Sequence, residues 1–213
     1  MKKLNVLAVS VAIAAGSLSA GTAVAGASAN VGYTSDYYFR GIYQASSSAS
    51  AGLDYEHDSG LYVGTWWGDV GSGLETDYYA GFAGEASGFS YDIAYIVYDY
   101  TDEFDDKYTE IDLNFGYGPI SIEYAMGEYD TSPATLDYTF AAITAEHNGF
   151  YVKFASFGDD FDGSYTELGY GAEVSGFDMG VSLLSNDEDL DVVTAKADGE
   201  TTLIFTLGKS FDL

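Results

Sequence analysis

The chain has no cysteine, only two prolines, and seven Lys+Arg against 34 Asp+Glu. Without cysteine there is no disulfide scaffold, thiolate zinc site, dithiol redox motif or acylated-cysteine anchor. The shortage of basic residues leaves a formal charge of −27, so the basic patch that nucleic-acid binding requires is missing. Histidine is nearly absent too, with only His57 and His147. Neither G-x-S-x-G nor H-E-x-x-H occurs, so the sequence indicates no hydrolase, resident metal or cofactor. Long apolar runs are also lacking: beyond residue 25 none reaches the roughly 18 residues of a membrane helix.

What is present is apolar and aromatic. Hydrophobic residues make up 47 % of the chain, too many for a disordered acidic polymer. At the N-terminus, Lys2 and Lys3 precede an apolar run, Leu4 to Leu18, and the small-x-small stretch Ala23-Val24-Ala25. This pattern predicts a cleaved secretory signal over residues 1–25, followed by a single domain over 26–213. Loss of the two lysines takes the formal charge from −27 to −29.

The rest alternates with period two, the mark of strands with two unlike faces. Phe89, Tyr91, Ile93, Tyr95 and Val97 share one parity; Ile120, Ile122, Tyr124 and Met126 repeat the pattern against Ser121 and Glu123. Turn signals recur around Gly60, Gly88, Gly118, Gly149 and Gly176, at intervals of 28, 30, 31 and 27 residues. Longer polar stretches fall between them, at Ile42–Ser46, Asp69–Leu74, Thr101–Lys107, Asp130–Leu136, Gly158–Gly163 and Asn186–Gly199. Five short turns alternating with six longer loops predict an all-β transmembrane antiparallel up-and-down barrel of 12 strands, each of about 9–11 residues. Closure follows from physics, because lipid tolerates no unpaired strand edge. Phe89, Phe150, Phe177, Tyr108 and Tyr129 are expected in interfacial girdles. Outer-membrane location, with lipid, lipopolysaccharide and the barrel-assembly machinery as partners, is the corresponding expectation.

Two segments carry a family resemblance. Ser35-Asp36-Tyr37-Tyr38-Phe39-Arg40-Gly41 resembles the S-D-Y-x-F-R-G signature of the TorF-like porins. The stretch from Gly52 to Trp66 is similar to the following strands of that family, and the match covers about residues 30–70. The resemblance implies a bacterial outer-membrane barrel with channel activity. Thr206-x-Gly208-x-x-Phe211-x-Leu213 is similar to an outer-membrane assembly signal, with Leu where a final Phe is usual.

By parity, Thr34, Asp36, Tyr38, Arg40, Asp54, Glu56, Asp77, Glu85, Asp92, Glu110, Asp112, Glu123, Lys153, Glu167 and Glu173 point inward. The charged ones other than Glu173 are the candidate pore lining. Residues 137–146 stay ambiguous, since neither parity is clearly apolar. Arg40 has two readings: an ion pair with Asp36, Asp54 or Glu56 that welds the first hairpin, or a constriction residue. Lys153 has the same two. Lys209, on the nominal lipid face, is expected to reach the interface. An acidic wall predicts a channel for small polar solutes that prefers cations; the alternative is a non-conducting structural or surface barrel. Asp187-x-Asp189-x-Asp191 loosely resembles the start of a calcium loop but lacks its glycine and distal glutamate.

Overall fold

The computed structural model describes residues 26–131, 133–190 and 201–213. The expected signal segment, and Asp191 of the acidic triplet, lie outside them. Period-two patterning becomes twelve strands in one closed antiparallel barrel. Its first six are β1 (Gly26–Phe39), β2 (Ile42–Glu56), β3 (Leu61–Asp69), β4 (Leu74–Ala86), β5 (Phe89–Tyr100) and β6 (Lys107–Tyr117). The others are β7 (Ile120–Thr131), β8 (Ala134–His147), β9 (Phe150–Asp159), β10 (Ser164–Val174), β11 (Phe177–Asn186) and β12 (Thr201–Asp212). Each strand pairs with its sequence neighbours, and β1 closes on β12 from Ser28↔Asp212 to Thr34↔Thr206.

Connections of four residues or fewer close one end, whereas the other end mixes two-residue reversals with longer loops. At one end, Ser87–Gly88, Asn148–Gly149 and Ser175–Gly176 are two-residue turns with positive φ at both positions, matching the twist of the hairpins they close. The opposite end carries the loops after β3, β5, β9 and β11. Two expected loops are strand instead. Ile42–Ser46 belongs to β2, because the chain reverses at Arg40–Gly41, where both φ values are positive (47° and 85°). Asp130 and Thr131 end β7, and residues 134–136 begin β8. Strands run from 9 to 15 residues, and β1, β2, β4 and β8 exceed the expected length most, at 14, 15, 13 and 14 residues.

The outer face is apolar along the length of the wall. Leu53, Ile93, Tyr95, Phe154, Leu168 and Phe205 are each about half exposed, on strands spread around the circumference. A water-soluble monomer does not expose such a continuous apolar surface. Phe89, Phe150 and Phe177 point outward at the turn end, as expected of a girdle. Tyr108 and Tyr129 do not: they share the parity of Glu110 and Glu123 and stack inside the loop-end mouth, ring centroids 4.2 Å apart. Their hydroxyls donate to Asp105 at 3.0 and 2.7 Å, which draws both rings inward. Lys209 packs its ammonium over Phe177 and Phe211, 4.7 and 5.4 Å from the ring centroids.

The first hairpin departs from the wall. β1 pairs with β12 only as far as Thr34, and β2 pairs with β3 only from Ser50 onward, so residues 35–49 have no strand partner outside β1 and β2 themselves. Ser47 adopts positive φ (61°) and the register slips between Tyr37 and Tyr38, two irregularities at which the ribbon bends. Beyond the bend Tyr37, Phe39, Arg40 and Gly41 are all buried, so the tip lies inside the barrel. Parity counting put Tyr37 and Phe39 on the outer face; it fails here because the hairpin has left the wall. An eight-stranded barrel fills its interior with side chains, whereas twelve strands enclose more space. The tip occupies part of that space.

Gly41 is the pivot of the tip. A Cβ there would sit 2.6 Å from the Tyr165 ring and 2.8 Å from Leu190, on a backbone that favours glycine. Gly41→Ala is expected to lower the unfolding free energy by at least about 1–2 kcal/mol, the left-handed penalty alone. Reversible urea unfolding of the refolded barrel in detergent measures it.

Candidate functional site

The tip is held by one guanidinium. Arg40 donates from Nη1 to Glu110 Oε2 at 2.6 Å and from Nη2 to Glu110 Oε1 at 2.9 Å, a two-pronged pair between hairpin and β6. Nη2 also donates to Glu123 on β7 at 3.1 Å, and the guanidinium lies 4.4 Å from the Phe140 ring centroid. Glu110 further accepts the hydroxyls of Tyr98 (2.7 Å) and Tyr138 (2.8 Å), so each of its oxygens takes two donors. Lys153 reaches Glu123 at 3.4 Å. Arg40 therefore welds the hairpin to the far wall, with Glu110 and Glu123 as partners in place of the expected Asp36, Asp54 or Glu56.

Further contacts run around the interior. Tyr37 donates to Glu75 on β4 (2.8 Å), the Tyr38 hydroxyl pairs with Thr202 on β12 (3.0 Å), and Asn186 on β11 donates to the Gly41 carbonyl (3.1 Å). Leu190, in the 3-10 turn Glu188–Leu190, is buried against Gly41. Asp187 anchors that turn by accepting the Ser164 amide and hydroxyl, both at 2.7 Å, so this acid is engaged in loop structure. Strand β8 loses its ambiguity: Tyr138, Phe140 and Ala142 face inward, and Phe140 is apolar because it packs on Arg40.

Below the plug, tyrosines lie flat along the inner wall and reach carboxylates two strands away. Tyr62 donates to Asp92 (2.7 Å) across Gly81, Tyr79 to Asp54 across Gly64, and Tyr138 to Glu110 across Gly127. In each case a Cβ on the glycine would fall within 2.4 Å of the ring that crosses it. Tyr151 likewise covers Gly169 and donates to Glu167 at 2.5 Å.

The candidate lining residues separate into groups. Asp77, Glu110 and Asp112 are buried with Arg40; Glu123 and Lys153 are largely covered. Asp54, Asp92 and Glu167 are half-buried acceptors of the tyrosines, and Glu56 is half-buried near the turn end. Glu85 and Glu173 are exposed at the turn end, away from the plug. Asp36 sits half-buried on the bent hairpin rather than on the wall. Glu75 escaped sequence reasoning although it lies two residues from Asp77 on the same face of β4. That spacing was the available signal. His57 hydrogen-bonds Ser59 and His147 hydrogen-bonds Asn148, each at the turn end.

A family model described as "Bacterial protein of unknown function (Gcw_chp)" matches residues 19–211. No curated protein matches the sequence. The fold is similar to that of the KdgM porin, with a TM-score of 0.57 at 7 % identity over 87 % of this chain and 99 % of that one. It is similar also to the NanC porin, with a TM-score of 0.54 at 9 % identity over 88 % of this chain and all (100 %) of the other. At such identities the likeness is one of fold: this is a porin-like barrel.

Truncating one partner of a buried ion pair strands the other charge, at a cost of about 3–5 kcal/mol. Arg40→Met is expected to lose that much in urea unfolding. The double variant R40M/E110Q should recover part of it, whereas additive losses would show that the pair is not coupled.

Proposed function

The chain belongs to the Gcw_chp family of bacterial proteins of unknown function, and we propose that it is an outer-membrane channel for small polar solutes that prefers cations. The observation that carries this reading is the opposition of its two faces, an apolar band outside and a carboxylate-rich wall inside. The outer band suits hydrocarbon. The inner wall, where among the described residues Asp54, Asp77, Asp92, Asp112 and Glu167 face only the cations Arg40 and Lys153, attracts cations and repels anions. The KdgM and NanC porins, similar in fold, and the resemblance of residues 35–41 to TorF-like porins support the channel reading. Glu56, Glu85, Glu110 and Glu123 extend the acidic wall towards the turn end, and Asp36 adds a carboxylate on the hairpin.

The inserted hairpin favours a second reading, a barrel that does not conduct in its resting state. Planar-bilayer recording of refolded protein separates the two. Discrete conductance steps with a reversal potential on the cation side of a KCl gradient support the channel, and anion preference would overturn its selectivity. Silence from wild type with conductance from R40M favours the closed barrel, since Arg40 holds the tip in place.

Membrane insertion has its own test. Leu168→Arg, at mid-strand on the outer face, is expected to cost about 2–4 kcal/mol in lipid vesicles if it lies at the bilayer midplane. An unchanged unfolding midpoint would place β10 outside the hydrocarbon.

A further inference from the structure

The apolar outer face is hollow in one place. Tyr55, Val63, Ala80, Tyr95 and Ile111 are successive partners across β2 to β6, and all are exposed on the outside. Ala80 contributes only a methyl between the larger side chains of Val63 and Tyr95. The next outward row towards the turn end is Leu61, Phe82 and Ile93, headed by His57, whose amide donates to the Leu61 carbonyl at 2.8 Å. These two rows line a groove of about 590 Å³, within the size range of ligand sites. Apart from His57, the described residues that line it are apolar or aromatic. Crossing four inter-strand spacings of about 4.8 Å, it runs for about 19 Å. That length suits an acyl chain lying tilted in one leaflet, whose hydrocarbon is about 15 Å deep.

The polar end of the groove has its own chemistry. The Ser59 amide donates to His57 Nδ1 at 3.1 Å, so Nδ1 is the acceptor and the ring proton sits on Nε2. His57 is exposed and presents this N–H at the turn-end rim of an apolar trough. Acids stand at the same rim. Glu56 and Asp58 flank His57 in the chain, and the Ala83 amide, donating to the Gly60 carbonyl at 2.9 Å, brings the end of β4 with Glu85 alongside. We infer that the groove is a phosphatidylethanolamine site: one acyl chain lies over Ala80, the phosphate accepts from His57 Nε2 and the ammonium faces the rim carboxylates. An anionic headgroup would meet those carboxylates without a compensating charge. The site rests on the membrane-spanning part of the proposed function and not on conduction.

Photolabelling of the barrel refolded into phosphatidylcholine vesicles tests the site, with a trace of phosphatidylethanolamine carrying a diazirine in one acyl chain as the probe. On irradiation, label should concentrate several-fold on residues 61–63, 80–82 and 93–95 relative to outward positions of β9 to β11. A phosphatidylglycerol probe with the same chain should label those residues no more than the rest of the wall. Ala80→Trp fills the groove from outside the packed interior and should bring its labelling down to that background. His57→Phe leaves the groove open and should erase the difference between the two probes. Label spread evenly around the barrel overturns the site and keeps the membrane-spanning reading, whereas no label on any strand overturns both. Equal labelling of the wild-type groove by the two probes overturns the headgroup assignment. Cross-links between two barrels through β3 to β5, in place of lipid, overturn the site in favour of a second copy of the chain.

Discussion

A single guanidinium organises the interior of this barrel. Arg40 arrives on a hairpin tip rather than on the wall, and it meets a carboxylate to which Tyr98 and Tyr138 also donate. In a low-dielectric interior such a pair is stable only when every remaining donor and acceptor is used. Glu110 meets that condition, with two donors on each oxygen. The ion pair therefore fixes how far the tip enters, which aromatic rings flank it, and which carboxylates remain uncompensated.

The wall is adapted to the same end. Inward glycines on β3, β4 and β7 lack the Cβ that would prop the crossing tyrosines off the sheet, so the rings lie flat and their hydroxyls reach across a strand. Each such bridge hydrogen-bonds a carboxylate without a second charge. Acidity is retained while most acceptors are satisfied, and the exceptions, Asp77 above all, stand out against that background.

Most of the barrel was legible in the sequence. Strand count, closure, the turns at Gly88, Gly149 and Gly176 and the outward phenylalanines all follow from period-two patterning and turn chemistry. The illegible part has one physical origin. Parity arguments assume that a strand stays in the wall, and residues 35–49 do not. Parity consequently places Tyr37 and Phe39 outside, and the polar stretch Ile42–Ser46 reads as loop. Contacts across the lumen, such as Arg40 with Glu110 and Phe140, join strands that are not sheet neighbours, and no sequence spacing encodes them. Tyr108 and Tyr129 misled for a related reason: an aromatic near a strand end suits an interfacial girdle as well as a packed mouth, and Asp105 decides between them.

The tip's partners have a temporal consequence. They lie 38 residues away at Glu75, 70 at Glu110 and 164 at Thr202, so its full berth does not exist until the last strand has been laid down. Contacts of such long range form late, after the entropy of closing the intervening chain has been overcome. The first hairpin of the chain thus has a complete berth only once the last strand is in the wall.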